Sequence, residues 1–302
     1  MSGTKTAQGF APRRNVRGIA LLVVLWACTL LAILLGGFAT MARTESLQSR
    51  YLSSRVQLRY LAEAGAMRAL AESVSRSGGR WVGDGRRYTL RIERREVEIR
   101  IQDELGKIDI NAADPRQLQR LFVAAGEDEA SATRLAANIQ EARDAGAKLF
   151  GEESAKRYAE AGQAAGPRYR EFDTPEQLQT VPGMTPALYR RLAPAITVWS
   201  RRPQPVPALA PPLVLASLPD MDLARAERYV AMRVLQATNM PPPTLPNGQP
   251  AGAWRGSLVR TIVASAADGQ GAAASVIVTY RVTALKGGLD YSVLRWQEDG
   301  AG

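Results

Sequence analysis

Charged and apolar positions divide the chain into regimes of different period. Residues 1–18 are polar and basic, and from Ile19 to Ala42 no position is charged, a run of 24 residues. At about 1.5 Å per residue such a helix crosses the roughly 30 Å hydrocarbon core of a bilayer. Beyond it Leu47, Tyr51, Val56, Tyr60, Met67, Leu70 and Val74 recur at mostly helical spacing between Arg and Glu. Ala62, Ala64, Ala66, Ala69 and Ala71 add strong helix formers. The pattern predicts one helix from Ile19 to Ser77, ended by Gly78-Gly79. Its heptad is poorly kept, so packing on a sheet is expected rather than a coiled coil.

The period then changes to two. Tyr88, Leu90 and Ile92 alternate with polar residues, as do Val97, Ile99 and Ile101, around a charged reversal at Glu93 to Glu96. An antiparallel hairpin with one buried face follows. From Asp103 to about Asn239 the pattern is helical again. Asp114-Pro115 and Thr174-Pro175 each read as a cap followed by Pro in the first turn, and the segments they open, residues 114–119 and 174–179, form a faint duplication. Val181-Pro182-Gly183-Met184-Thr185 turns into a helix with Leu188, Tyr189 and Leu192, and a further helix is predicted over Asp222 to Ala237. The flanking stretches 202–212 and 241–250 are Pro-rich and expected to be stiff and extended. Strands return at Leu258 to Ala264, Ser275 to Thr283 and Leu289 to Trp296, separated by turns at Asp268 to Gly271 and Lys286 to Gly288. A lone hairpin is marginal in water, so the early and late strands are expected to form one sheet.

Composition narrows the chemistry. Lys5, Arg13, Arg14 and Arg17 precede the apolar run without an acidic residue, which predicts a cytoplasmic N-terminus and residues 43–302 outside. These four account for part of the net +10, leaving +6 on residues 19–302, and nucleic acid is not expected as a partner. The run is too long for the apolar core of a cleaved secretory signal, so an anchor is expected. There is no histidine, and the one cysteine, Cys28, lies inside the apolar run. Ser-His-Asp and Cys-His catalysis, histidine-ligated zinc and disulfides in the outer region are thereby excluded, and no enzymatic activity is expected.

The junction Arg17-Gly18-Ile19, a basic leader ending in Gly before an apolar run, resembles a type IV prepilin signal. That resemblance implies a cut between Gly18 and Ile19 by a prepilin peptidase, with N-methylation of Ile19. Most members carry Glu at the fifth mature position; here it is Val23. The segments Gln102 to Asn111, and Phe172 to Leu178 with Val181 to Thr185, look like two landmarks of the K pseudopilin of type II secretion systems. The match departs at Ala208 to Leu218, where members often have an Asn- and Thr-rich segment.

The implied fold is α+β and pilin-like. A long N-terminal helix would pack on an antiparallel sheet, with a large all-α insertion of helix-hairpin-helix or SAM-like kind between strands. The domains would be a leader (1–18), a membrane segment (19–42), helix and first strands (43–102), the inserted domain (103–240) and closing strands (253–302). The implied role is a minor pseudopilin at the tip of a periplasmic pseudopilus, supporting export of folded proteins across the outer membrane. It would lie in the inner membrane, single-pass, beside other minor pseudopilins and an inner-membrane secretion platform. The alternative is a minor pilin of a type IV pilus or competence machine, with the hairpin-like turn at Val181 to Thr185 on DNA phosphate. No cofactor is required. Asp103, Glu104, Asp109, Glu171 and Asp173 are the candidate oxygen ligands of a structural calcium, though without EF-hand spacing.

Overall fold

The computed structural model describes residues 17–74, 81–146, 151–160, 162, 166–253, 256–285 and 288–299. It divides into two compact units, 1–56 and 57–302, each taken by itself below. The helix stop expected at Gly78-Gly79 and the turn residues Lys286 and Gly287 lie outside the described residues.

In the first unit the chain is helical from Arg17, the start of α1 (Arg17–Val74). This helix is long and apolar enough near its N-terminal end to cross a membrane, and its apolar side chains from Leu21 to Met41 are exposed. Its hydroxyls are satisfied along the helix: Thr29 Oγ1 donates to the carbonyls of Leu25 and Trp26, and Thr40 Oγ1 to that of Gly37. A span can carry Thr without an exposed polar group for that reason.

In the second unit α1 buries Leu58, Ala62, Ala66, Ala69 and Leu70, one stripe at helical spacing. The stripe covers a five-stranded antiparallel sheet in the order β1-β2-β5-β6-β7. β1 (Asp84–Ile92) and β2 (Arg95–Asp103) form the early hairpin; β5 (Val259–Ala267), β6 (Ala273–Leu285) and β7 (Gly288–Asp299) complete the sheet. Register explains the buried face. Val97, Ile99 and Ile101 stand opposite Ala266, Ala264 and Ile262, which stand opposite Ala274, Val276 and Val278. Helix and sheet approach closely at Gly65, where a Cβ would lie 2.7 Å from Val97 Cγ1.

β1 starts four residues before the predicted strand, because Asp84 already pairs with Gln102. The hairpin reverses at Glu93 and Arg94, with Glu93 at φ 55°. At the β5–β6 turn Asp268 Oδ1 accepts from the N–H groups of Gln270 and Ala272. A bulge at Leu294 shifts the register of β7 against β6.

The chain leaves the sheet after Asp103 and rejoins it at Val259. In between lie α2 (Pro115–Ala124), α3 (Glu129–Arg143), α4 (Gly151–Glu160), α5 (Pro186–Leu192), α6 (Pro212–Ala216) and α7 (Leu223–Leu235). Their core, including Leu118, Leu121, Phe122, Leu135, Ile139 and Leu192, is separate from that of the sheet. Asp114, Asp128, Thr185 and Asp222 each cap a helix by accepting a backbone N–H from its first turn.

Three expectations are corrected here. The excursion is not all-α: β3 (Ile108–Asp109) pairs in parallel with β4 (Ile196–Thr197). The segments entering and leaving the α2–α5 helices run side by side there, and the Ile108 and Ile110 N–H groups donate to Ala195 and Thr197 carbonyls. Pro175–Thr180 is a 3-10 helix, and Thr174 makes no side-chain cap. The side chain of Gln177 instead reaches back, its Oε1 accepting from the Asp173 N–H. The Pro-rich stretch 202–212 is not extended throughout: Pro207–Leu209 is a 3-10 turn and Pro212 opens α6.

Candidate functional site

The chemistry of this chain concentrates along α1 and at the seam between sheet and helical excursion. On α1 the second unit leaves Tyr60 62% and Met67 40% exposed, on faces other than the stripe that covers the sheet. In the first unit Leu47, Tyr51, Leu52 and Val56 are exposed as well. Large apolar side chains in water are costly, at roughly 25 cal/mol per Å2. Arg17, Gly18 and Ile19 form the first turn of α1; their side chains lie outside the described residues. Val23 is 60% exposed.

The seam is built from buried ions. Arg233 sits on the same α7 stripe as Ala226 and Tyr229, fully buried. Its guanidinium donates to the carbonyls of Pro207 (3.1 Å), Ala210 (2.9 Å) and Asp84 (2.8 Å), with the Asp84 carboxylate at 3.9 Å. Burial pulls Arg233 below its ordinary pKa, and Asp84 opposes that. Arg86 grips both Asp84 oxygens and the Gln236 carbonyl, which ties β1 to the end of α7. At the end of β2, Gln102 Nε2 donates to the Leu209 carbonyl at 2.6 Å. On the far side of the sheet Arg295 and Gln297 of β7 both donate to Glu176, in the 3-10 helix.

The five candidate calcium ligands do not gather. Asp103 Oδ1 accepts from the Leu105 N–H, and Oδ2 from the Ser257 N–H and Arg260 Nε. Glu104 Oε1 accepts from Lys107 Nζ at 2.6 Å and from the Thr261 hydroxyl, which also pairs with Thr279. Asp109 accepts from the N–H groups of Asn111 and Arg201 and from Ser200 Oγ. Asp173 is exposed beside Arg170, and Glu171 is exposed. Of these five residues only Glu104 has a buried oxygen, Oε2, without a hydrogen-bond partner, and no group of three or more acidic or sulfur ligands forms among the described residues. These residues do not fit one calcium site. They fit structural roles, because a buried carboxylate must be paired.

Burial pushes the Asp103 and Asp109 carboxyls above their ordinary value, against the backbone N–H groups that pull them down. The folded protein therefore holds these protons more tightly than the unfolded chain. Their contribution to stability is complete below the unfolded value of about 3.9 and is lost as pH rises through the raised folded value. The melting temperature of the protein minus that of Asp109→Asn should accordingly be larger at pH 4 than at pH 7. An equal difference at both would dismiss the assignment.

The hairpin-like turn at Val181 to Thr185 joins the 3-10 helix to α5, with Gly183 at φ 89° against Leu135. Its basic neighbour Arg191 is held by Glu127 at 3.0 Å, and Asp128 and Glu129 follow Glu127 in the chain. That ion pair occupies Arg191 as a phosphate ligand.

The seam cations were not visible as sites in the sequence. Arg233 had one signal, its place on the apolar stripe of α7; Arg260 and Arg295 sit in strands whose partners are distant in the chain.

Residues 100–201 match the family described as type II secretion system (T2SS), protein K. No curated protein sequence matches the chain. Among solved structures, a chain of the GspK-GspI-GspJ complex from the enterotoxigenic Escherichia coli type 2 secretion system shares the fold, with a TM-score of 0.54 and 14% identity. The match covers 85% of this chain and 99% of that one.

Proposed function

We propose that the chain is a minor pseudopilin of the type II secretion protein K kind, which caps the tip of the periplasmic pseudopilus and supports export of folded proteins across the outer membrane; the family match over residues 100–201 and the fold shared with the solved complex support this reading. The observation that carries this reading is Val23, at the fifth position after the Gly18–Ile19 junction in an uncharged span. A pilin Glu at that position, buried in a fibre, needs a positive partner from a neighbouring subunit. A subunit with none above it would leave that carboxylate unpaired in an apolar core, at a cost of several kcal/mol. Valine removes the cost.

The N-terminus lies in the cytoplasm and the second unit in the periplasm on this reading, following the positive leader. Prepilin peptidase cuts after Gly18 and Ile19 becomes the methylated N-terminus. The exposed apolar residues of α1 pack against two further minor pseudopilins; the solved complex of GspK with GspI and GspJ supports partners of that kind. The inner-membrane platform assembles them. A competence-type DNA tip finds no support at Val181 to Thr185, where the neighbouring Arg191 is paired with Glu127.

Mass spectrometry of the protein purified from membranes tests the reading. The expected mature terminus is N-methylated Ile19. An intact Met1, or a cut after Ala39, would sink it.

A further inference from the structure

A groove of about 550 Å3 opens between α2 and the α6–α7 turn, with a floor and rim of Val123, Leu218, Met221 and Leu223. Pockets of this size accommodate a few side chains of a partner. Val123 and Leu223 are exposed large apolar residues at its mouth. Arg116 and Arg120 line it one helical turn apart on the exposed face of α2.

The charges of the groove are unevenly matched. Its two acidic residues are both engaged: Glu129 accepts from Gln119 Nε2 at 2.9 Å, and Asp222 caps α7 and pairs with Arg225. Neither Arg116 nor Arg120 has an ion-pair partner among the described residues. Two free guanidiniums beside aliphatic surface favour carboxylates set next to apolar side chains, since the planar fork of Arg matches a carboxylate bidentately. We propose that this groove docks a polypeptide segment of a partner protein in which two acidic residues, one helical turn apart, flank aliphatic anchors. The carboxylates meet Arg116 and Arg120, and the anchors cover Val123, Met221 and Leu223.

The same surface is built from residues of the helical excursion alone, so the proposal stands apart from leader processing and tip position. Arg116 also borders a second depression, between α2 and α3, that is lined by Ala136 and Ala137. That second depression also carries Glu141 and Asp144 in its lining.

The test uses the full chain in lipid nanodiscs and a fluorescein-labelled peptide with two glutamates, one helical turn apart, around a pair of leucines. Fluorescence anisotropy should show binding that weakens about tenfold or more in Arg116→Glu/Arg120→Glu, in keeping with the loss and reversal of two partly shielded ion pairs. Replacing the peptide's glutamates by glutamine, or its leucines by serine, should weaken binding similarly. The double variant should keep its circular dichroism and melting temperature, and should bind a peptide with lysines in place of the glutamates. Equal binding of the glutamate and glutamine peptides, undiminished binding by the double variant, or no binding at all overturns the proposal. Displacement by oleate but not by unlabelled peptide would assign the groove to an anionic lipid and overturn it equally.

Discussion

Arg233→Ala is expected to cost the protein about 3–5 kcal/mol, the range for breaking a buried ion pair by removing one partner. The buried carbonyls of Ala210 and Asp84 would lose the Arg233 donor, and that of Pro207 would keep only the Ala210 N–H. The Asp84 carboxylate would keep only Arg86. Tyr229, whose ring lies 5.8 Å from the Arg233 guanidinium carbon, would lose a packing neighbour. Arg233→Lys should recover part of the loss, because an ammonium can reach one or two of the carbonyls but not span all three. Urea denaturation can be followed through Trp81, which stacks on Tyr88 at 4.6 Å beside the seam. A loss under about 1 kcal/mol for the alanine variant, typical of surface substitutions, would show that the seam does not depend on this cation.

Gly106→Val should be nearly as damaging, about 3 kcal/mol, at the upper end of overpacking costs. A Cβ at Gly106 would stand 2.2 Å from the Leu209 carbonyl oxygen and 2.5 Å from its carbon. Those are backbone atoms, so no rotamer change can relieve the clash. The neighbouring carbonyl–amide bond from Val206 N–H to Leu105, at 2.7 Å, fixes the same approach. Relief would require the Pro207–Leu209 turn to lift away from the end of β2, and with it the Gln102 contact to Leu209. Gly106→Ala meets the same atoms with a smaller side chain and should fall between the two. Thermal melts of both variants, with α-helical circular dichroism as the probe, check the ranking; a valine variant as stable as wild type would refute the close approach.

Elements whose side chains repeat with one period were legible in the chain. α1 announces itself through the helical spacing of Leu47, Tyr51, Val56, Tyr60, Met67 and Leu70, although of these only Leu70 joins the buried stripe, and the five strands through alternations such as Val97, Ile99 and Ile101. Asp114 and Asp222 cap where their position before a helix says they should. What escaped is whatever depends on two distant segments meeting. β3 and β4 are two residues each, too short for any period, and exist because Ile108 and Ile196 arrive side by side. Thr174-Pro175 carries the same local signal as Asp114-Pro115, yet Thr174 makes no side-chain cap and Pro175–Thr180 is a 3-10 helix. Acidic residues adjacent in sequence suggested shared ligation, whereas Asp103 and Glu104 point to different partners, Arg260 and Lys107. The groove on α2 draws its walls from segments about a hundred residues apart, and no local pattern marks it.

One of these arrangements bears on how fast the sheet can form. Asp103 and Arg260 face each other across β2 and β5 although 157 residues separate them. Closing a flexible loop of that length is slow, and such long-range pairings lower folding rates. The excursion, however, has helix pairs adjacent in the chain, α2 with α3 and α6 with α7, and β3 beside β4 draws together the segments entering and leaving α2–α5. Once those helices have condensed, the loop that β2 and β5 must close is shortened by the stretch between Ile108 and Ile196. A chain with its helices weakened should therefore form the β2–β5 pairing more slowly in refolding experiments, with β5 an unpaired, aggregation-prone edge until β2 arrives.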